Sequence, residues 1–199
     1  VYNFNREEAD LTKSLVHPYV PRFPRHVSYD LVLFGSWRRK GVYVGEKQIA
    51  SPGSYPVAGF NFAPMYNLNY KLRFGVSLDG VYDGSANVYT EDALVEYDAG
   101  SGSSRRKFLV PGIQNQLALG LSGRAEYVMP FFTIGVGLGT NVLGRGDLRG
   151  LYQVFALKIN VTRSSFLHIG YNLQDFQTPN YLMLGLGFRF NNKYPKVRH

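Results

Sequence analysis

From Val27 onward the chain alternates apolar residues with small or polar ones, the period of strands with two unlike faces. In the run from Tyr70, Tyr70, Leu72, Phe74, Val76 and Leu78 make one face, and Lys71, Arg73, Gly75, Ser77 and Asp79 the other. In the run from Phe132, Phe132, Ile134, Val136 and Leu138 alternate with Thr133, Gly135, Gly137 and Gly139. Near Leu151, the residues Gln153, Phe155, Leu157 and Ile159 oppose Tyr152, Val154, Ala156, Lys158 and Asn160. The last run sets Leu182, Leu184, Leu186, Phe188 and Phe190 against Met183, Gly185, Gly187 and Arg189. With Val27–Arg38, Tyr55–Tyr66, Phe108–Tyr127 and Ser165–Asp175, the pattern predicts eight strands.

Which face points inward decides the class. A soluble barrel of the lipocalin type hides its apolar face and needs no detergent, whereas a membrane barrel turns that face to lipid and keeps a polar or small interior. Here the second face carries Lys71, Arg73, Asp79, Lys158, His168 and Arg189 among many glycines. Glycine gives nothing to a solvated surface but makes room in a narrow lumen, where Asp79 is expected to neutralise Arg73 or Lys158. The reading is all-β: an eight-stranded antiparallel outer-membrane β-barrel.

The connections support it. Outer-membrane barrels alternate short periplasmic turns with longer external loops. Here Arg39–Ser54, Asp83–Lys107, Val142–Gly150 and Phe176–Asn180 read as the longer loops. The tight turns fall near Asn67–Asn69, at Met129-Pro130 and at Thr162–Ser164. That order puts both termini in the periplasm of a Gram-negative bacterium. Aromatics form the expected girdles, with Tyr66, Tyr127, Phe131, Phe166 and Phe188 at the turn end and Trp37, Tyr82, Tyr152, Tyr171 and Tyr181 at the loop end. The predicted organisation is an N-terminal periplasmic extension at 1–26, a barrel at 27–190 and a periplasmic tail at 191–199.

Composition changes this picture little. With 22 Gly and 15% aromatics, and no apolar window of the length a membrane helix needs, strands are the only route across a bilayer. Cysteine is absent, so no disulfide or thiolate metal site is expected. The net charge of +8 is concentrated in part on one rim, where Arg38, Arg39, Lys40, Lys47, Arg105, Arg106, Lys107, Arg145 and Arg149 map to external loops or strand tops. The functional reading is a collar for the phosphates of lipopolysaccharide, through charge-assisted hydrogen bonds. The bland reading is solubilised loops and snorkelling side chains. Nucleic acid is not an expected partner, because no recognition motif accompanies the charge. Glu91, Asp92, Glu96 and Asp98 read as a solvated acidic loop rather than a metal site, and no cofactor is implied.

The stretch Phe166–Phe190, FLHIGYNLQDFQTPNYLMLGLGFRF, resembles the C-terminal end of the lipid A 3-O-deacylase family, also called acyloxyacyl hydrolases. The resemblance implies an eight-stranded outer-membrane barrel acting on lipid A. That family carries a His-x-Ser-Asn motif on strand seven, a loop containing Pro-Asn, and a catalytic acid on strand eight. The positions that answer to the motif are His168, Gly170, Asn172, Pro179 and Asn180. With His168 as the family histidine, Gly170 stands in the serine position; with Pro179-Asn180 as anchor, Asn172 does. Neither offers a hydroxyl to form an acyl intermediate, and no Glu follows Glu126. His168 is expected to be a hydrogen-bonded lumen histidine and no residue is expected to be catalytic. The expected role is a structural or accessory subunit of an outer-membrane complex, with protein partners at the barrel's ends. The enzymatic alternative is deacylation through a non-standard site near Asn172, Gln174 and Asp175.

Overall fold

The computed structural model describes residues 22–39, 41–44, 47–50, 53–98, 103–176 and 178–194, and for 41–44, 47–50, 90–98, 103–108 and 178–179 the backbone alone. Residues 1–21 and 195–199, which belong to the expected extension and tail, and Lys40 lie outside the described residues. In chain order the strands are β1 (His26–Arg38), β2 (Gly41–Val44), β3 (Lys47–Ala50), β4 (Tyr55–Asn67), β5 (Leu72–Asp83) and β6 (Tyr89–Asp98). They continue as β7 (Ser103–Leu109), β8 (Leu117–Val128), β9 (Phe132–Leu143), β10 (Leu151–Asn160), β11 (Ser165–Gln174) and β12 (Thr178–Phe190). Eight of them close an antiparallel barrel in the order β1-β12-β11-β10-β9-β8-β5-β4, while β2/β3 and β6/β7 are hairpins in the first and third loops.

The apolar face points outward. Leu33, Val76, Leu121 and Leu186 are each more than half exposed, and every other residue along the barrel strands repeats the pattern. A belt of this kind is stable only against lipid, so the fold is that of an outer-membrane barrel. It also removes the soluble alternative, whose apolar residues had to be inside. Trp37 and Phe131, the most exposed of the large aromatics at 77% and 79%, mark opposite rims.

The interior fits because large lumen side chains face glycines across the ladder. Phe166 pairs with Gly187 and His168 with Gly185. Tyr152 pairs with Gly139, and Arg124 with Gly137. Phe34 lies between Gly59 and Gly185. A Cβ on Gly139 would come within 2.6 Å of the Leu121 carbonyl oxygen, the Ser122 Cβ and the Tyr152 ring.

The turns follow from side-chain chemistry. The Asn69 side-chain oxygen accepts from the backbone N–H groups of Lys71 and Leu72, each at 2.8 Å. The Thr162 hydroxyl oxygen accepts from Ser164 and Ser165 at 3.2 and 3.0 Å. Both are the local bonds by which Asn and Thr replace ladder pairing at a turn.

Four expectations need correction. The run Phe108–Tyr127 is not one strand: Phe108 and Leu109 end the β6/β7 hairpin, a 3-10 turn occupies Ile113–Asn115, and the barrel resumes at Leu117. The third connection is therefore longer than Asp83–Lys107. The seventh is shorter, because Asp175 and Phe176 take positive φ values of 49° and 60° and reverse the chain before Thr178. This loop is no longer than the turn at 161–164, so the length rule fails there. Phe166, Tyr152 and Tyr181 are not girdle residues, since strand parity turns them into the lumen, where they are 1%, 5% and 8% exposed.

Candidate functional site

The positions answering to the hydrolase motif lie along β11 and the start of β12. Parity on β11 sends Leu167, Ile169 and Tyr171 to the lipid side and His168, Gly170 and Asn172 to the lumen. His168 is 1% exposed, and neither ring nitrogen has a hydrogen-bond partner. It is a lumen histidine as expected, but not a hydrogen-bonded one, and among the described residues no hydroxyl is hydrogen-bonded to its ring. A β-bulge between Asn172 and Leu173 shifts the β11/β12 register. Opposite it Asn180 turns inward and donates from Nδ2 to Asn172 Oδ1 at 3.1 Å. Bulges commonly re-aim a side chain in this way. Only the backbone of Pro179 is described.

Arg38 completes this arrangement at the loop-end mouth. Its Nη1 donates to Asp83 Oδ2 at 2.8 Å and to Asn180 Oδ1. Asp83 Oδ1 accepts from the Ser85 hydroxyl at 2.6 Å and the Ser85 N–H at 2.8 Å. Arg38 therefore belongs to the mouth rather than to an outward collar, because its parity matches the buried Ser36 and Phe34. Of the other collar candidates, Arg39, Arg145 and Arg149 are exposed. Arg145 reaches Asn115 Oδ1 at 3.3 Å and Arg149 the Gly144 carbonyl at 3.3 Å. Arg105, Arg106 and Lys107 lie on β7, where only the backbone is described.

The non-standard enzyme site does not assemble. Gln174 Nε2 is held by the carbonyls of Asp147 and Arg149 at 3.0 and 2.9 Å. Asp175 sits in the exposed turn, and Asn172 faces the lumen. Ser85 has a carboxylate at hydrogen-bond distance but no histidine among its hydrogen-bond partners. The space beneath the mouth, lined by Asn61, Asp79, Tyr152 and Asn172 among others, is about 30 Å³. That is room for water and not for an acyl chain.

Below it the lumen is filled by two ionic layers. In the upper one, Asp79 accepts from Arg124 Nη2 at 2.7 Å and from Ser77, Ser122 and Tyr152 hydroxyls at 2.6 Å each. In the lower one, Asp30 binds Arg73 and Lys158 at 2.8 Å and Arg189 at 2.9 Å, while Glu126 binds Lys158 at 2.7 Å and also Arg73. Asp79 thus pairs with Arg124, not with Arg73 or Lys158, because those two sit nearer the turn end beside Asp30 and Glu126. Asp30, Glu126 and Arg124 were missed as site residues. Their positions on the polar face of β1 and β8 were the available signal.

Comparison with known proteins agrees with the resemblance. Residues 27–192 match the family model described as "Acyloxyacyl hydrolase, C-terminal domain". Among solved structures, the chain is similar to Ail, the attachment invasion locus protein of Yersinia pestis, at 16% identity and a TM-score of 0.42, covering 82% of this chain and 98% of that one. It is also similar to Neisserial surface protein A, at 15% identity and a TM-score of 0.38, covering 82% and 95%. A search of curated proteins found no match.

Proposed function

This chain belongs to the acyloxyacyl hydrolase family, and on that premise we propose that it is a non-catalytic member, a structural or accessory component of the outer membrane. One observation carries the reading: the motif positions on β11 face a lumen closed by ion pairs, with Gly170 or Asn172 in the place of the serine. A hydrolase of membrane lipid needs a nucleophile and its base together where the ester can reach them. On the lipid side, β11 offers Leu167, Ile169 and Tyr171.

The barrel then acts through its surfaces. Three long connections and one short one at one end, against tight turns throughout the other, support loops outside the cell and both flanking segments in the periplasm. The exposed Arg39, Arg145 and Arg149 would meet lipopolysaccharide phosphates at the outer rim. The flanking segments would dock partner proteins. The test has two arms. Mass spectrometry of lipid A from cells with and without the protein is expected to show the same acyl pattern; loss of an acyl chain on expression would refute the non-catalytic reading. A mild-detergent pulldown from native outer membranes is expected to yield stoichiometric partners, and a barrel recovered alone counts against the accessory role.

A further inference from the structure

The lumen opens at the turn end into a cleft of about 500 Å³, the size of a small-molecule site. Strand parity builds it. Lys71 continues the inward face of Arg73, Val128 that of Glu126, and Asn160 that of Lys158, so these residues stand one step below the lower ionic layer. Arg189, a member of that layer, forms part of the wall, and Arg163 joins it from the turn between β10 and β11. Val128, Met129 and Pro130 make one side apolar.

The charge of the cleft is one-sided. Its walls hold Lys71, Arg163 and Arg189 and, among the described residues, no carboxylate. Lys71 and Arg163 have no carboxylate partner among the described residues either. Arg189 is paired with Asp30, but its layer sets the cations Arg73, Lys158 and Arg189 against only Asp30 and Glu126. One positive charge is left over, and Arg73 Nη1 is buried there without a hydrogen-bond partner. Tyr194 adds a donor, because its hydroxyl is also buried without a partner. Burial pushes that phenol above the ordinary tyrosine range, against the opposing pull of Arg73 and Arg189, so it keeps its proton. Phe23 braces the ring at a centre distance of 5.1 Å, and Arg163 Nη2 donates to the Tyr194 carbonyl at 2.8 Å.

We propose that this turn-end mouth binds a phosphate group, held by Arg189 and the Tyr194 hydroxyl on the inner side and by Lys71 and Arg163 at the rim. Phosphate oxygens accept from ammonium, guanidinium and hydroxyl donors together, and their negative charge answers the surplus above. The apolar side favours a phosphate carried on acylglycerol, the headgroup of a phospholipid. Phe131, 79% exposed, puts the mouth at the membrane interface, that of the inner leaflet in the orientation proposed above. The site is separate from the motif on β11 and from the arginines of the loop end, so it stands whether or not the barrel is catalytic.

The test is a calorimetric titration of the full chain refolded in dodecyl maltoside micelles, which bring no phosphate. The probes are dihexanoyl phosphatidylglycerol, inorganic phosphate and phosphate-free dihexanoylglycerol, all at one chloride concentration. One saturable site per barrel is expected for the phosphatidylglycerol, and none for dihexanoylglycerol. Tyr194→Phe and Lys71→Gln are each expected to weaken binding by at least about tenfold, the worth of one hydrogen bond to a charged group. That loss distinguishes the cleft from the arginines of the other rim, and heat-shifted gel mobility checks that both variants are folded. Phosphatidylglycerol binding tighter than inorganic phosphate by about tenfold or more assigns the site to a lipid headgroup; a smaller gap assigns it to soluble phosphate. The proposal is overturned if neither phosphate probe saturates, if dihexanoylglycerol binds as well, or if either folded variant keeps the full affinity.

Discussion

Asp30→Asn is the substitution that asks most of the lumen. The side chain is 1% exposed, keeps its shape when changed to Asn, and holds three cations: Arg73 and Lys158 at 2.8 Å and Arg189 at 2.9 Å. Arg73 and Lys158 retain Glu126, but Arg189 has no other carboxylate partner among the described residues. The change therefore strands a buried guanidinium and adds to a cluster already one positive charge in excess. Removing one partner of a buried pair costs about 3–5 kcal/mol, and the shared geometry places Asp30→Asn toward the upper end. At about 1.4 kcal/mol per tenfold, that lowers the folding constant by at least a hundredfold. The assay is a urea titration of the barrel in lipid vesicles, followed by the emission of Trp37, the single tryptophan, which lies 77% exposed on the outer wall. Adding Arg189→Gln is expected to return at least about 1 kcal/mol relative to the sum of the single changes. A loss below about 1 kcal/mol, or strict additivity, would mean that water screens these charges and that the lumen is not sealed by them.

Other perturbations read other parts of the structure. Gly139→Val drives a side chain against the Leu121 carbonyl and the Tyr152 ring, and a loss of about 1–3 kcal/mol is expected in the same titration. An unchanged midpoint would show the lumen to be looser than described. Val136→Arg, midway along the lipid face of β9, is expected to cost about 2–4 kcal/mol, against about 0–1 for Thr140→Arg near the loop-end rim. Equal penalties would place the belt elsewhere. In planar bilayers the purified barrel is expected to pass no steady current, since ion pairs span the lumen; regular conductance steps would contradict the closed interior.

Strand alternation was legible because the barrel strands separate their faces over most of their length, Gln153 on β10 and the β11/β12 bulge being exceptions, and the membrane face followed from glycine and charge sharing the second face. What escaped was set by features that alternation does not encode. Asp175 and Phe176 adopt the left-handed backbone region; Asp tolerates it, but a bulky aromatic does not favour it, so the pair did not announce so tight a reversal. The β6/β7 hairpin carries Glu91, Asp92, Glu96 and Asp98, a composition that resembles an acidic loop more than a strand. Asn180 reaches the mouth through a bulge, which shifts parity by one and is invisible to a period-two reading. Within the candidate site, the lack of a serine was readable from the motif alone. That His168 would be buried beside Lys158 without a hydrogen bond required the closed register.

That register also bears on how the molecule is made. Tyr29 pairs with Phe190 and Asp30 with Arg189, so the cylinder closes only when the last strand meets the first. Until then β1 and β11 are open edges with unpaired backbone groups, a hazard in any partly made sheet. The lower ionic layer draws on β1, β5, β8, β10 and β12 together, and it too is incomplete before closure. Contacts so distant along the chain make for slow assembly. The kinetic weak point of this protein is thus the arrival of its C-terminal strand, and shortening the chain there would leave not a smaller barrel but an open sheet with stranded charges.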